Sequence, residues 1–324
     1  MRSYNIEEIN YFLRENKRKL VLDNESRYRG QLFELAEDMV SKGGKVVLIG
    51  GPSCAGKTTT CRLLHEILEK KGFKVVDVSM DDFFKNRVDT PLLPNGNKDY
   101  DSIRAINLDQ MERCFTKLFK EGKAGFPQYD FITGENTDDV FNLEYDENTV
   151  IIFEGLHVLN PELIQKLGTT DVYKVYACAL STFNLMEDVL DTVELRLIRR
   201  MIRDVSRRGH SPMKTFNTWN DVCEAEDKYI TPFSENVDFR VDTTHSFELA
   251  LYKKEMLCLI REYPDVIEKI GFVVPMFEKT LTLPKEKLPK TSLMWEFLDM
   301  PEKFKKEPKP RKVAKKTTKK ATTK

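Results

Sequence analysis

Apolar side chains recur along this chain with two spacings, and each spacing predicts one kind of secondary structure. Across residues 5–42 they recur three or four positions apart, as at Ile6 and Ile9, which predicts helix. The glycine pair at 43–44 ends the second of two helices predicted in this region. The chain is therefore expected to begin with a helical lead-in at 1–44.

Short continuous apolar runs, bounded by glycine or polar residues, predict buried strands of a parallel sheet. These runs are KVVLIGG at 45–51, KVVDVSM at 74–80, TVIIFEG at 149–155, DVYKVYACAL at 171–180 and the shorter DFRVDT at 238–243. Helical patterns fill the intervals at 57–71, 104–120, 184–208, 212–229 and 246–262. Strands that alternate with helices predict a doubly wound α/β fold, with helices on both faces of a mainly parallel sheet.

A further segment at 263–300 follows the last predicted helix. It carries a group of large apolar side chains: Phe272, Val273, Val274, Phe277, Trp295, Phe297 and Leu298. Because such side chains are usually buried, we expect this C-terminal extension to pack back on the body of the protein.

The composition excludes several classes of protein. With 324 residues, 40% hydrophobic and 32% charged, the chain is neither a disordered polymer nor a collagen-like repeat nor a polytopic membrane protein. Its formal net charge of zero is a cancellation, because residues 301–324 hold 11 basic and 2 acidic side chains and the remainder is acidic. We expect this lysine-rich tail to be disordered. A solvating role is favoured over weak contact with RNA or another polyanion.

Cysteine spacing and the absence of long apolar runs indicate the cellular setting. The six cysteines have neither CxxC nor zinc-ligand spacing, and the first residues lack the apolar core of a signal peptide. No apolar run approaches the roughly 20 residues that span a bilayer. We therefore expect a cytoplasmic protein with reduced thiols and no membrane partner.

The segment GPSCAGKT at 51–58 matches the phosphate-binding pattern GxxxxGK[ST]. It follows a predicted strand and opens a predicted helix, so backbone N–H groups and the helix dipole would converge on a phosphate. Lys57 is expected to reach the β- and γ-phosphates, and the Thr58 hydroxyl to hold Mg²⁺. The alternative is a glycine-rich turn without a ligand. The residues assigned to ATP binding in this segment are Gly51, Pro52, Ser53, Cys54, Ala55, Gly56, Lys57, Thr58 and Thr59.

Carboxylates stand at the ends of two predicted strands, at the edge of the sheet where ligands bind. Asp81 follows strand 74–80, where it could take a proton from an attacking hydroxyl. Alternatively, Asp81 and its neighbour Asp82 are solvated turn residues, or one of them only holds Mg²⁺. Glu154 lies at the end of strand 149–155. A carboxylate buried there costs free energy unless it has a partner. This favours Mg²⁺ or its bound water as the partner over a purely structural hydrogen bond.

Arginines crowd the segment ELRLIRRMIRDVSRRGH at 194–210. Three of them are spaced to share one helix face: Arg196, Arg200 and Arg203. A one-sided arginine row repels itself unless anions lie opposite, and a triphosphate with its transferred phosphoryl group would supply them. The alternative is a solvated helix whose arginines pair with Glu194 and Asp204, a pairing that would suit the remaining arginines.

Six segments occur together in an order that resembles the uridine kinase branch of the phosphoribulokinase/uridine kinase family. They are GGPSCAGKTTT, SMDDFF, KDYDSIRAIN, PQYDFITG, IIFEGLHVLNP and RLIRRMIRDVSRRGH. The likeness is greatest to a bacterial type of uridine kinase whose longer members carry N-terminal domains like those of threonyl-tRNA synthetase, and we expect a member without those domains. The resemblance implies a P-loop NTPase kinase fold with an arginine-bearing lid helix, and a kinase domain at 45–262.

The resemblance also implies roles for single residues. Asp81 matches the family's catalytic base, and Thr58 and Glu154 match its Mg²⁺ positions, with Asp81 as a further Mg²⁺ contact. Asp101 matches the carboxylate that binds ribose hydroxyls. The other implied positions are Phe84, Tyr129 and Phe131 in the acceptor pocket, Arg200 near the sugar, and Arg203 and Arg208 at the phosphates.

Two positions depart from the family pattern. Gly134 stands where animal-type uridine-cytidine kinases carry a histidine that hydrogen-bonds the pyrimidine. His210 stands where an arginine of the lid is expected. These departures bear on base recognition and on nucleotide binding in the lid.

The sequence thus predicts an ATP- and Mg²⁺-dependent kinase of pyrimidine salvage, which phosphorylates the 5′-hydroxyl of uridine. Cytidine is the second candidate acceptor and GTP the second candidate donor. Asp81 would deprotonate the hydroxyl, while Lys57 and Arg203 stabilise the charge on the phosphoryl group. Two alternatives stay open: a P-loop kinase for another small alcohol (another nucleoside, a sugar phosphate or a pantothenate-like compound), and a nucleotide-binding regulator without turnover. The expected partner is a small-molecule nucleoside, and a homo-oligomer is left open.

Overall fold

The computed structural model describes residues 2–94, 96–266 and 270–299. Strand β1 (Ser3–Asn5) leads into helix α1 (Ile6–Ser41), so the helical prediction for the start of the chain is confirmed. At Asn16 the backbone leaves helical geometry, and its side chain accepts a hydrogen bond from the Lys19 N–H, which begins the helix again. The apolar periodicity predicts two helices in this stretch but does not locate the kink between them at Asn16.

The remaining helices and strands follow in chain order. They are β2 (Val46–Gly50), α2 (Lys57–Lys70), β3 (Lys74–Ser79), α3 (Leu108–Glu121), β4 (Lys123–Asp130), β5 (Glu135–Glu144), β6 (Thr149–Gly155), α4 (Pro161–Lys166), β7 (Val172–Cys178), β8 (Thr182–Leu185), β9 (Asp188–Leu190), α5 (Thr192–Arg208), α6 (Pro212–Asn217), α7 (Trp219–Tyr229), β10 (Phe239–Asp242), α8 (Glu248–Glu262) and α9 (Val274–Lys279). Short 3-10 helices join several of them, including Met80–Phe83 and Leu293–Glu296.

Five strands form the central sheet in the order β10-β7-β2-β6-β3, and every neighbouring pair is parallel. Strand β2 lies in the middle, and its alternate side chains face opposite sides. Val47 and Ile49 pack in an apolar cluster with α1, α2, α5 and α8, whereas Val46 and Leu48 pack with α3 and α4. The predicted doubly wound α/β fold is confirmed.

The sequence prediction is wrong in part over the arginine-rich helix. Helix was expected across 184–208, but β8 and β9 form an antiparallel hairpin and β8 also pairs with β1. Alternate burial of Phe183 and Leu185 reflects strand periodicity that the longer helical pattern concealed. Helix α5 begins only where the Asp191 side chain caps it.

Two smaller differences concern other predicted helices. The helix expected at 212–229 is divided between α6 and α7 at Thr218. The helix expected at 104–120 begins at Leu108, after a short 3-10 helix at Ile103–Ala105. The antiparallel hairpin of β4 and β5 was not predicted at all, and it stands apart from the central sheet.

The C-terminal extension contributes to the apolar cluster that contains α1 and α8. Its buried members include Val273, Phe277, Trp295 and Phe297, whereas Phe272 is largely exposed. The lysine-rich tail lies outside the described residues. Within the described ranges, no helix combines the length and apolar character needed to cross a membrane.

Candidate active site at the phosphate-binding loop

The loop between β2 and α2 has a backbone that two glycines make possible. Gly51 has φ of 153°, and a Cβ there would lie 2.0 Å from the Ala177 carbonyl oxygen. Gly56 has φ of 89°, and a Cβ there would lie 2.7 Å from Leu293. A side chain at either position would therefore disrupt the loop.

Two backbone N–H groups, one in the loop and one in the first turn of α2, donate hydrogen bonds to carboxylates from distant parts of the chain. The Ser53 N–H donates to Glu226 on α7 at 2.9 Å, and the Thr59 N–H donates to Glu296 at 3.0 Å. The Lys57 ammonium group donates to the Pro52 carbonyl at 2.9 Å. Both N–H contacts have a negatively charged acceptor, which is the property expected of an anion-binding helix N-terminus.

Two carboxylates lie where neighbouring strands β3 and β6 end. Ser79 is paired in register with Glu154, and its hydroxyl donates to the Glu154 carboxylate at 3.1 Å. The same hydroxyl accepts a hydrogen bond from the Asp81 N–H at 3.3 Å. Ser79 therefore joins the two strand ends at one point, with Asp81 and Glu154 on either side of it.

Burial changes the acidity of both carboxyl groups. Burial, together with the nearby charge of Asp81, raises the pKa of Glu154 to about 7, and Lys57 opposes the shift. Burial also raises the pKa of Asp81, against the positive charges of Lys57 and Arg208. A nearby cation would favour the ionised form of both groups.

The oxygen atoms available as metal ligands in this region suit Mg²⁺, which does not need a complete set of protein ligands. Across 2–94, 96–266 and 270–299, no group of three or more histidine, cysteine, aspartate or glutamate side chains could hold a metal ion. Asp81, Glu154 and the Thr58 hydroxyl nevertheless line one cavity. Mg²⁺ commonly takes one or two carboxylates and completes its shell with phosphate oxygens and water.

The arginines of α5 divide into two groups, which corrects the sequence interpretation. Arg196 was expected to face the phosphates, but its guanidinium is buried and pairs with both oxygens of Glu226 at 2.8 Å. Arg199 is fully buried in the same way against Glu248. Both charges are neutralised within the protein, because a buried guanidinium needs a partner.

The second group surrounds the buried Asp204, which the alternative sequence interpretation pairs with the arginines outside the row. Asp204 contacts one of these, Arg208 at 3.3 Å, and also two members of the row, Arg200 at 3.5 Å and Arg203 at 3.0 Å; all three arginines line the cavity. Arg200 also donates to the Ser53 hydroxyl at 2.8 Å. The single Asp204 carboxylate thus contacts three guanidinium groups, so this cluster keeps a net positive charge beside the loop.

Aromatic rings also line the cavity. Phe84 packs edge-on against Tyr100 and Phe131, with ring centroids 6.1 and 6.3 Å apart. Tyr129 lies behind them, 5.5 Å from Phe84, and does not reach the cavity wall. Asp101 lines the same cavity, where burial raises its pKa and Arg200 opposes the shift.

Arg87 occupies the space beside Gly134 in the turn between β4 and β5. It donates to the backbone carbonyls of Phe131 at 2.7 Å and Ile132 at 3.3 Å. A Cβ at Gly134 would lie 2.6 Å from the Arg87 Nε. The glycine at this position therefore accommodates an arginine that holds the carbonyls of the turn bearing Phe131. His210, the other departure, lines the cavity near the lid, and burial lowers its pKa.

The cavity has a volume of about 720 Å³, within the usual range for cofactor and substrate sites. It brings together these predicted residues: Ser53, Cys54, Lys57, Thr58, Asp81, Phe84, Asp101, Phe131, Glu154, Arg200, Arg203 and Arg208. The predicted residues outside its lining are Gly51, Pro52, Ala55, Gly56, Thr59 and Tyr129. Sequence reasoning missed Arg87, Glu226 and Glu296, because none of them lies within a recognised segment and an isolated charge gives no signal.

Comparison with known proteins gives independent evidence on the family of this chain. The model of the phosphoribulokinase / uridine kinase family matches residues 46–250. A uridine kinase of Bacillus licheniformis is 30% identical over 172 residues, which are 52% of this chain and 72% of that protein. A uridine kinase of Mycoplasma pneumoniae is 29% identical over 221 residues, which are 65% of this chain and 91% of that protein.

A solved structure shares the fold. It is that of a protein from a Silicibacter species described as a fructose transport system kinase, with a TM-score of 0.50, 17% identity, and coverage of 64% of this chain and 98% of its own. The matched family region includes the phosphate-binding loop, both strand-end carboxylates and the arginines around Asp204. The resemblance inferred from the six sequence segments is confirmed: the chain belongs to the phosphoribulokinase/uridine kinase family and is a P-loop kinase.

Proposed function

We propose that this kinase transfers the γ-phosphoryl group of ATP to the 5′-hydroxyl of a pyrimidine nucleoside, with uridine as the first candidate and cytidine as the second. The observation that carries the proposal is the single cavity that joins Lys57 and Thr58 to Asp81 and then to Phe84 and Phe131. A phosphate donor at the loop and a ring-containing acceptor at the aromatic end would meet at Asp81. The uridine kinase relatives support the same acceptor class.

Asp81 is the proposed general base. Its carboxylate accepts the proton of the acceptor hydroxyl as the hydroxyl oxygen forms a bond to the γ-phosphorus. The bond from that phosphorus to the β,γ-bridging oxygen breaks, and its electron pair leaves with ADP. The buried surroundings that raise the Asp81 pKa make this carboxylate a better proton acceptor than an exposed aspartate.

Cations of the chain oppose the negative charge of the phosphates. Lys57 exchanges its contact with the Pro52 carbonyl for the β- and γ-phosphates. Arg200, Arg203 and Arg208 face the same space, and Asp204 fixes their positions. Thr58, Glu154 and Asp81 would hold Mg²⁺, which would supply positive charge to stabilise the phosphates of the donor.

The charge at the acceptor end favours an uncharged acceptor. Burial raises the pKa of Asp101, the nearby carboxylates of Asp99 and Asp221 add to the shift, and Arg200 acts in the opposite direction. A sugar phosphate would meet this group of carboxylates, whereas the hydroxyls of a nucleoside ribose can donate hydrogen bonds to Asp101. The aromatic rings of Phe84 and Phe131 supply apolar surface for a base.

An acceptor screen tests the proposal. Purified protein with ATP and Mg²⁺ is offered uridine, cytidine, adenosine, guanosine, ribose 5-phosphate and pantothenate, and ADP release is followed with mass analysis of the product. We expect turnover with uridine and the mass of a nucleoside monophosphate. Turnover confined to a sugar phosphate or to pantothenate, or no turnover with any acceptor, would refute the proposal.

A further inference from the structure

A segment outside the family match forms part of the wall of the nucleotide site. Residues 291–298, which we call the C-terminal brace, follow the matched region 46–250 by about forty residues and return to the phosphate-binding loop. Leu293 packs so closely on Gly56 that a Cβ on the glycine would lie 2.7 Å from it. The brace therefore touches the loop that is expected to bind the donor.

The brace is held by contacts from two helices. The Phe297 ring lies over the Arg199 guanidinium, with 4.8 Å between the ring centroid and Cζ. Arg207 on α5 donates to the backbone carbonyls of Trp295 and Leu298. Arg62 on α2 donates to the Thr291 carbonyl at 3.4 Å. Because both ends are fixed, the side chains of the brace are presented to the cavity in a defined position.

Glu296 is the charged side chain that the brace presents. Its carboxylate accepts the Thr59 N–H at 3.0 Å and lines the main cavity. Thr59 is the third residue of α2, and the first four N–H groups of a helix have no partner within the helix. A phosphate bound at this helix end seeks the same N–H groups and carries the same sign of charge as Glu296.

We propose that Glu296 is a donor-site residue that competes with the phosphate groups of the nucleotide. Its carboxylate holds the N-terminus of α2 while the site is empty, and it must release the Thr59 N–H or remain beside a like charge when the donor binds. Glu296 therefore weakens nucleotide binding and favours release of the nucleotide product. The inference rests on the proposed function in one respect, because it takes the donor to be a nucleoside triphosphate.

Direct binding of ADP to the full-length protein tests this inference without any acceptor. Glu296→Gln keeps a hydrogen-bond acceptor for the Thr59 N–H and removes the charge. We expect isothermal titration to give a dissociation constant for ADP about five-fold or more below that of the unaltered protein, since like charges in contact near a protein surface repel strongly. Glu286→Gln, an exposed residue of the same extension, serves as the matched control and should change the constant less than two-fold.

The dependence of ADP binding on salt concentration provides a second test. If repulsion is the cause, the difference between Glu296→Gln and the unaltered protein shrinks as NaCl rises from about 0.05 to 0.5 M. Equal or weaker ADP binding by Glu296→Gln overturns the inference. An increase in ADP affinity that does not depend on salt, or a failure of both proteins to bind ADP, overturns it as well. An error in the proposed acceptor would appear differently, as normal ADP binding without turnover of any nucleoside.

Discussion

The carboxylate of Glu226 on α7 accepts a hydrogen bond from the backbone N–H of Ser53 in the phosphate-binding loop. The same carboxylate pairs through both oxygens with the buried Arg196 of α5. One side chain thus joins the loop, the arginine helix and the helix that covers them.

Removing this carboxylate should destabilise the protein. Glu226→Ala leaves the Arg196 guanidinium buried without its partner, and we expect the free energy of unfolding to fall by about 3 kcal/mol. Urea denaturation followed by circular dichroism measures the change. The double variant Arg196→Met/Glu226→Leu removes both charges and should recover at least half of the loss. A double variant as unstable as Glu226→Ala would contradict the explanation.

Loss of the proposed base should act on turnover rather than on binding. Asp81→Asn keeps the shape of the side chain but cannot accept the hydroxyl proton, so we expect kcat to fall about 100-fold or more. The KM for the nucleoside should change little. Asp188→Asn, at an exposed position of β9, is the matched control. Wild-type turnover by Asp81→Asn would exclude Asp81 as the base.

The acceptor pocket should depend on Arg87, although this side chain does not line the cavity. Arg87→Ala frees the turn carbonyls of Phe131 and Ile132, so the Phe131 ring loses its fixed position. We expect the KM for the nucleoside to rise about five-fold, on the scale of one lost charged hydrogen bond, while ADP binding stays constant. Arg113→Ala on the exposed face of α3 controls for loss of charge. Equal effects on nucleoside and ADP would argue against a positioning role.

The stability of the protein should carry a pH-dependent contribution from His65. Hydrogen bonding to Asp77, at 2.8 Å, raises the His65 pKa, with Glu69 also nearby. The ordinary histidine pKa is about 6.5, so the stabilisation is fully present below that pH and is lost as pH rises through the raised value. His65→Gln should therefore lower the free energy of unfolding by less than about 1 kcal/mol at pH 5.5 and by almost nothing at pH 9. Urea denaturation at both pH values measures this, and a larger cost at pH 9 would contradict it.

Two glycine substitutions should have opposite effects. Gly30 lies within α1 with open space around it, so Gly30→Ala should raise the free energy of unfolding by roughly 0.5–1 kcal/mol. Gly51→Ala would drive a methyl group into the Ala177 carbonyl, so we expect lower stability and loss of ADP binding. Thermal unfolding and ADP titration measure both. A Gly51→Ala protein that binds ADP normally would show that the loop tolerates the side chain.

Much of the sheet and of the loop was predictable because the information lies within short segments. The strand at 149–155 was predicted with the bounds that β6 has, and the helix after the loop was wrong by one residue. Continuous apolar runs and the GxxxxGK[ST] pattern are local signals. The hairpin of β8 and β9 was missed because its strands are four and three residues long and adjoin a strong helical pattern.

The sequence by itself determined the α/β fold, the phosphate-binding loop and the presence of carboxylates at two strand ends, since each depends on residues close together in the chain. Only the tertiary structure decided how the charges pair. Arg196 and Arg200 are equivalent by helical spacing, yet one is neutralised by Glu226 and the other lines the cavity. Glu296 reaches the Thr59 N–H across 237 positions of sequence. The energy of a charge depends on its neighbours in space and on its burial, and neither is encoded in local spacing.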